Sequence, residues 1–451
     1  MYKVIEAVPA DDLIQPGRDR GPEPGFAGTQ SFSQRARGIA STNTRRLWRG
    51  GDLWYIGAAA VVNVANFAFF GLVGHLLRPS SYGAVAALLN VVSIAAIPLN
   101  AVQAAIVREV VIQSKDGSPP AVRRAGAVFV GSGLCATALL VGVSPLAERF
   151  FGLGSVVPVI VLALWLAPSV TSSLFDGVLI GTLRWRPIAI SLIAGAIVRV
   201  SFAAIAGLVD PGIDGPVLAT VLNAAVTLGV VLSVFWKSDH VAGRAQLRLP
   251  APATISTVLA LTGYSMLVAL DTLMARHIFP ALSGSYAAAV TIGRIALFLP
   301  MAITVVVFPR FVGDGGRGRR ARRLLLIGLA GVLGLGLAAS AALTVARHLF
   351  VDVLFGQRYA AASSLIGLLS VEGAIVGAIG LVTYFHLARR SAFAAAPAIA
   401  TFTVAAVCLL GRPGPLALAR LMVTACAVLL VVMIAAALTG NSAGKTTARL
   451  T

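Results

Sequence analysis

The sequence predicts an all-α, polytopic membrane protein of about twelve transmembrane helices in two pseudo-symmetric six-helix lobes. Three observations support this prediction. The chain has 451 residues, of which 58% are hydrophobic and only 12% charged, whereas a soluble domain carries about a quarter charged residues. Apolar segments long enough to cross a bilayer follow one another at short intervals. A set of sequence landmarks also recurs at a nearly constant offset, which indicates a duplicated chain.

Twelve apolar segments are long enough to span a membrane. The first half contains spans at 53–77, 82–107, 125–146, 155–181, 187–209 and 213–236. The second half contains spans at 252–278, 285–309, 324–346, 360–388, 391–411 and 414–439. Prolines inside several spans predict breaks or kinks, because proline removes a backbone hydrogen bond. These prolines are Pro98, Pro168, Pro300 and Pro397.

The remaining residues predict polar ends and one linker. Residues 1–50 are rich in Pro, Gly and Arg without an apolar period, which is typical of a disordered basic tail. The domain prediction is therefore a tail at 1–50, a first lobe at 51–237, a linker at 238–250, a second lobe at 251–439 and a tail at 440–451.

The duplication is indicated by six matched landmarks. His75, Tyr82, Pro98 and Arg108 match His277, Tyr286, Pro300 and Arg310 at offsets of 202, 204, 202 and 202. Phe151-Gly152 matches Phe355-Gly356 at 204, and Arg184 matches Arg389 at 205. Each match alone is weak, but one shared offset is difficult to obtain by chance. Parallel repeats of this kind are common among secondary transporters.

The basic residues are distributed unevenly along the chain. Of the 36 Lys and Arg residues, 27 lie in the two tails or the even-numbered loops and 6 lie in the odd-numbered loops. Cytoplasmic loops are enriched in Lys and Arg, so the bias predicts cytoplasmic termini and an even number of spans. It also accounts for the net charge of +19 without nucleic acid, because the sequence shows no aromatic and basic interleaving.

The loops indicate a protein that is not an enzyme. The longest loops, around 108–124, 237–251 and 310–323, are too short to contain a catalytic domain. The cysteines Cys135, Cys408 and Cys426 lie in apolar runs without the spacing of metal ligands. We therefore expect no catalytic residues, no metal and no cofactor.

Six charged residues lie deep inside the predicted spans, where each costs about 2.5–3.5 kcal/mol at a helix centre. The candidates for substrate binding are the basic residues Arg199, Arg294 and Arg420. The candidates for coupling or charge pairing are the acidic residues Asp176, Asp271 and Glu372. Two interpretations remain open at this point: the six charges are paired locks between helices, or some of them line a wet cavity and meet a charged substrate or ion.

Asp271 and Arg294 are the pair whose positions agree best. Asp271 lies seven residues and Arg294 nine residues from the same end of adjacent spans, so their depths differ by only about 3 Å. Asparagines add polar groups to the first half, which indicates either a wet interior or hydrogen bonds between helices. They are Asn63, Asn66, Asn90, Asn100 and Asn223.

The segment 271–310 also supports a family resemblance. It contains Asp271, Ala275-Arg276, Pro280, Gly284, Tyr286, Gly293-Arg294, Leu297-Phe298-Leu299-Pro300 and Phe308-Pro309-Arg310. Further matches are Leu76-Leu77-Arg78-Pro79, Tyr82-Gly83, Phe355-Gly356 and Tyr359. With these residues, the chain resembles the bacterial polysaccharide and oligosaccharide flippases of the MOP (multidrug/oligosaccharidyl-lipid/polysaccharide) superfamily over roughly residues 53–438.

The resemblance implies two six-helix lobes around a central cavity, alternating access, and a polyprenyl-diphosphate-linked sugar as substrate. An arginine fork suits phosphate oxygens, which agrees with the basic residues in the spans. Two alternatives remain: a multidrug or cation antiporter of the same superfamily, and a non-transporting scaffold of an envelope-assembly complex. We expect a location in the bacterial inner membrane. The expected partners are membrane lipids, the lipid-linked glycan, and a glycan polymerase or glycosyltransferases.

Overall fold

A computed structural model describes residues 50–115, 122–236, 252–301, 303–304, 307–308, 311 and 318–439. Within these ranges the chain is helical and has no β-strand, which confirms the all-α prediction. The tails predicted at 1–50 and 440–451 and the linker at 238–250 lie outside the described residues, except for Gly50.

Fourteen α-helices are present in the described residues. The first half contains α1 Gly50–Leu76, α2 Pro79–Lys115, α3 Val122–Phe151, α4 Val157–Ala163, α5 Leu166–Gly181, α6 Trp185–Val209 and α7 Asp214–Trp236. The second half contains α8 Pro252–Ile278, α9 Ser283–Phe298, α10 Gly318–Val345, α11 Arg347–Leu354, α12 Ser363–Ala388, α13 Ala396–Gly411 and α14 Pro415–Thr439. Two short 3-10 helices cover Gln357–Ala362 and Ala392–Ala395.

The helix lengths confirm a multi-pass membrane protein. Eleven segments of the described chain are long and apolar enough to cross a bilayer, with α4 and α5 forming one of them. Each corresponds to one of the twelve predicted spans. The remaining prediction, 285–309, is interrupted: α9 ends at Phe298, a turn follows at Leu299-Pro300, and the described residues beyond it are helical again.

The prolines act differently from one another. Helix α2 continues through Pro98 without a break, so the predicted interruption is wrong there; membrane helices tolerate proline where neighbouring groups satisfy the freed backbone. Pro168 lies in the first turn of α5, directly after the break between α4 and α5. Pro397 lies at the beginning of α13. In a first turn the missing N–H has no partner to lose, so both residues begin helices.

The first turns of α2 and α9 form a close contact, which we call the seal. Helix α2 packs against α8 and α9 of the other half. A Cβ atom on Gly83 would collide with Ser283, and one on Gly284 would collide with the carbonyl of Pro79. Glycine at these two positions therefore permits direct backbone contact between the halves.

Candidate functional site

Three charged residues from different helices line one cavity in the second half, which we call the charged cavity. Asp271 of α8, Arg294 of α9 and Glu372 of α12 surround an empty volume of about 270 Å³. Asp271 is 3% exposed and Glu372 is 6% exposed. The sequence placed Asp271 and Arg294 at similar depth in adjacent helices, and the structure brings them to the same cavity. Glu372 joins them from a helix that is distant in sequence.

A close approach of α9 and α12 positions two of these charges. A Cβ atom on Gly373 would lie 2.7 Å from the carbonyl oxygen of Gly293, closer than real side chains come. The absence of both side chains lets the two backbones meet. Arg294 directly follows Gly293 and Glu372 directly precedes Gly373, so the same contact brings the guanidinium and the carboxylate to one cavity.

The hydrogen bonds of Arg294 connect the charged cavity to the first half. Its Nη2 donates to Asn90 Oδ1 over 2.9 Å and to the carbonyl oxygen of Val268 over 3.0 Å. The Asn90 side chain is held in turn by donating Nδ2 to the carbonyl of Ala86 over 2.8 Å. Because Asn90 belongs to α2, the guanidinium links α9 to a helix of the other half.

The two carboxylates of the charged cavity are satisfied unequally. Asp271 Oδ1 accepts from the backbone N–H of Thr272 over 2.6 Å and from its hydroxyl over 3.1 Å. Glu372 Oε2 is buried and has no hydrogen-bond partner among the described residues. With both carboxylates ionised, the three side chains carry one negative charge in excess. A buried unbalanced charge is costly, so the site favours uptake of one proton or one cation.

A second cavity lies in the first half and contains Arg199, so we call it the arginine cavity. It has an empty volume of about 320 Å³, and its described lining contains no acidic residue. The lining consists of Val62, Ala65, Asn66, Leu192, Ala196, Arg199, Val200 and Asn223. The polar groups around this cavity are thus one cation and two neutral amides.

Among the described residues, the partners of Arg199 are all neutral. Its Nη1 donates to Asn66 Oδ1 over 2.8 Å, and its guanidinium carbon lies 3.9 Å from the centre of the Phe69 ring. Its Nε is buried, and no described residue accepts a hydrogen bond from it. A cation over an aromatic face is partly stabilised, but the ring supplies no opposite charge.

Asn223 reaches the arginine cavity through another close approach of helices. A Cβ atom on Gly195 of α6 would collide with Asn223 Oδ1 of α7. The same oxygen accepts from the Thr227 hydroxyl over 3.4 Å. Of the five asparagines noted in the sequence, Asn66, Asn90 and Asn223 lie beside the arginines, while the side chains of Asn63 and Asn100 are exposed.

The structure does not bring the other two candidates to either cavity. Asp176 of α5 is partly buried, and its Oδ1 has no hydrogen-bond partner in the part of the chain that the structure describes. Arg420 of α14 is exposed. Neither belongs to the lining of the charged cavity or the arginine cavity. Arg276, which was not among the candidate site residues, lies near the end of the predicted span 252–278, inside α8, and is 6% exposed.

Comparisons with known proteins agree with the fold. An uncharacterized protein of Mycobacterium tuberculosis, Rv3630, is 26% identical over 347 residues, covering 72% of this chain and 77% of that protein. An inward-facing multidrug resistance MATE family transporter of the MOP superfamily matches with a TM-score of 0.64 and 16% identity, over 85% of this chain and 96% of the other. The lipid II flippase MurJ, in an inward closed conformation, matches with a TM-score of 0.62 and 13% identity, over 86% and 88%.

The family comparison covers a segment that contains Arg199, Asp271 and Arg294. A family model described as polysaccharide biosynthesis protein matches residues 72–364, which is more than half of the chain. The match includes the segment 271–310 and both sides of the seal. The structural neighbours are transporters rather than enzymes. The chain therefore belongs to the polysaccharide biosynthesis protein family, and its multi-pass helical fold is similar to that of the MATE transporter and of MurJ.

Proposed function

We propose that this transporter moves a polyprenyl-diphosphate-linked oligosaccharide, or a related polysaccharide precursor, across the bacterial cytoplasmic membrane by alternating access. Both termini lie in the cytoplasm in this proposal, as the distribution of basic residues predicts. The partners are the membrane lipids and the glycosyltransferases or polymerase that make and use the glycan. The observation that supports the substrate class most directly is the lone guanidinium of Arg199 in the arginine cavity.

The surroundings of Arg199 favour an anionic ligand. An arginine in a membrane span costs about 2.5–3.5 kcal/mol at the helix centre, and the neutral Asn66 amide does not cancel its charge. A phosphate oxygen would cancel the charge and accept hydrogen bonds from the guanidinium fork, including Nε, which has no partner. The apolar remainder of the lining suits the beginning of a lipid chain.

The charged cavity has a different role in this proposal. The excess negative charge of Asp271, Arg294 and Glu372 favours one proton or one cation, which suits coupling to an ion gradient. Arg294 is bonded to Asn90 of the other half, so a change of charge in this cavity alters a contact between the halves. Coupling and substrate binding are thus assigned to different cavities, one in each half.

Binding of a defined lipid tests the role of Arg199. Purified variants in lipid nanodiscs are titrated with polyprenyl diphosphate and, separately, with the uncharged polyprenol. We expect Arg199→Gln to weaken diphosphate binding about tenfold to hundredfold, because a hydrogen bond to a charged group contributes about 1.5–3 kcal/mol. Polyprenol binding stays unchanged. Arg420→Gln is the matched control, since Arg420 is an arginine in a span that lines neither cavity.

The outcome of the titration decides between clear alternatives. Equal diphosphate affinity in Arg199→Gln and the parent protein would remove the main support for the proposal. Arg199→Lys keeps the charge without the planar fork, and we expect its affinity to fall between the two. Equal weakening of diphosphate and polyprenol would show a general packing defect instead of a phosphate site.

A second candidate function is export of a cationic compound by antiport. The observation in its favour is the pair of buried carboxylates, Asp271 and Glu372, at one cavity. In this function a lipophilic cation binds in the charged cavity. We expect Glu372→Gln to weaken binding of the cation and Arg199→Gln to leave it unchanged. Binding of a cationic dye to the same purified variants separates this function from the first.

A further inference from the structure

Arg276 is a buried arginine that bonds only to backbone carbonyls in the structure. Its Nε donates to the carbonyl of Phe151 over 2.8 Å, and its Nη2 donates to that of Gly152 over 2.8 Å. Its Nη1 donates to the carbonyls of Ser80 over 3.0 Å and Pro280 over 3.3 Å. Only the Pro280 carbonyl belongs to the same half of the chain, so three of the four bonds cross from the second half to the first.

The end of α3 explains why a cation is stable there. The last carbonyls of a helix have no partner within the helix, and they form the negative end of its dipole. Arg276 takes the carbonyls of Phe151 and Gly152. The neighbouring His277 donates Nδ1 to the carbonyl of Phe150 over 2.7 Å and stacks on the Phe150 ring at 4.3 Å. Two consecutive side chains of α8 therefore complete the end of α3 from across the halves.

A second, weaker connection between the halves is a hydrogen bond near the end of α1. Burial raises the pKa of the Tyr359 hydroxyl, so this group stays protonated. It donates to the carbonyl of Leu77, directly after α1, over 3.3 Å. The residue one repeat before Arg276 is Gly74, where a Cβ atom would collide with the Phe355 ring. A charged side chain therefore connects the halves at only one of these two equivalent positions.

We infer that Arg276 is the latch of the seal: its carbonyl bonds hold the first turns of α2 and α9 together and set how often the halves part at this end. The inference rests on the proposed alternating access, which requires this contact to open. Opening separates α8 from the first half, and the three crossing bonds of Arg276 break together. The arginine fork is needed because a lysine ammonium cannot point donors at four carbonyls in this arrangement.

The experiment measures opening of the seal without substrate. The reporter is Ser283→Cys, placed where a side chain that is 1% exposed faces Gly83. Cys135, the exposed native thiol, is replaced by serine. The purified full-length protein in nanodiscs is treated with a small thiol reagent, and modification is followed by mass spectrometry of peptides. The buried Cys408 and Cys426 report general unfolding in the same sample.

Arg276→Gln should raise the rate of modification at position 283 about tenfold or more. A tenfold change corresponds to the net loss of one hydrogen bond to a charged group, about 1.4 kcal/mol. Arg78→Gln is the matched control, because Arg78 is an exposed arginine beside the seal. We expect the rate of modification at position 283 in this variant to stay within about twofold of the parent rate. Tyr359→Phe removes the hydrogen bond to Leu77 and should raise the rate about threefold, as the weaker of the two connections between the halves.

Several results would overturn the latch. One is an unchanged rate at position 283 in Arg276→Gln; another is a rate that rises equally at Cys408 and Cys426, which would show that Arg276 stabilises the whole fold instead. If Arg276→Gln cannot be purified, Arg276→Lys takes its place, because lysine keeps the charge without the planar fork; an unchanged rate at position 283 in Arg276→Lys also overturns the latch. Since no substrate is present, a negative result here leaves diphosphate binding at Arg199 untouched, and failure of that binding leaves the labelling result intact.

Discussion

The charged cavity makes a quantitative prediction about stability, because Arg294 is the one cation in a described lining that also contains Asp271 and Glu372. Arg294→Gln removes the cation while Gln keeps a side chain of similar length. The change leaves two buried carboxylates that face the same cavity as Arg294. Breaking a buried ion pair costs about 3–5 kcal/mol, which is an upper limit here because Arg294 is only partly buried and donates its hydrogen bonds to Asn90 and Val268. We expect Arg294→Gln to lower the free energy of unfolding by less than this amount.

The neutralised combinations should behave differently from this single variant. Glu372→Gln removes the excess negative charge and leaves Asp271 and Arg294 balanced, so its stability should equal or exceed that of the parent. The triple variant Arg294→Gln, Asp271→Asn, Glu372→Gln contains no charge in this cavity. We expect it to regain most of the loss, because neutral replacements of buried ion pairs are often tolerated.

The assay follows unfolding in detergent by intrinsic fluorescence, with protein level and glycan export measured for each variant in cells. The reasoning fails if Arg294→Gln unfolds at the same temperature as the parent, or if the triple variant is no more stable than Arg294→Gln. Export separates the two roles predicted for Arg294. Recovery of export in the double variant Arg294→Gln, Asp271→Asn, at normal protein level, would show that the pair is structural and that Arg294 does not bind substrate.

Gly373→Ala should destabilise the protein by about 1–3 kcal/mol, because its Cβ would lie 2.7 Å from a carbonyl oxygen of α9; Gly334→Ala, with no atom within 4 Å, is the control in the same thermal unfolding measurement. Asn90→Ala should cost about 1–2 kcal/mol because it removes the hydrogen bond that the partly buried Arg294 guanidinium donates to Asn90, whereas Asn100→Ala at an exposed position should change the unfolding temperature little. A cysteine placed at Gly316 should resist an impermeant thiol reagent applied to intact cells, since its loop is predicted to be cytoplasmic; modification from outside would contradict that topology.

The sequence was sufficient for the helices because their length and apolarity follow directly from the thickness of a bilayer. Eleven of the twelve predicted spans appear as membrane-length helices in the described residues. The behaviour of the prolines was harder to predict. Pro98 sits within an unbroken helix and Pro300 at a turn, because neighbouring groups decide whether the freed backbone is satisfied.

The candidate site was only partly predictable for a related reason. Depth in adjacent helices placed Asp271 beside Arg294, but depth says nothing about which way a side chain points. Lipid and protein core are equally apolar, so all faces of a membrane helix look alike in sequence. The sequence therefore could not show that Arg420 is exposed or that Glu372 lines the same cavity as Arg294. Both facts depend on how each helix is rotated about its own axis. The predicted span 252–278 contains Arg276, but the residue lies near the end of that span, where arginine is common, so nothing in the sequence marked it as buried.

The crosswise capping at the seal has a consequence for biosynthesis. The carbonyls at the ends of α1 and α3 are satisfied by Tyr359, Arg276 and His277, all of which are synthesised after the first half has been made. During translation these helix ends remain without their final partners until α8 and then the segment following α11 have been inserted. The first half therefore reaches its final packing only when the second half is present, although each half reads as a complete repeat in the sequence.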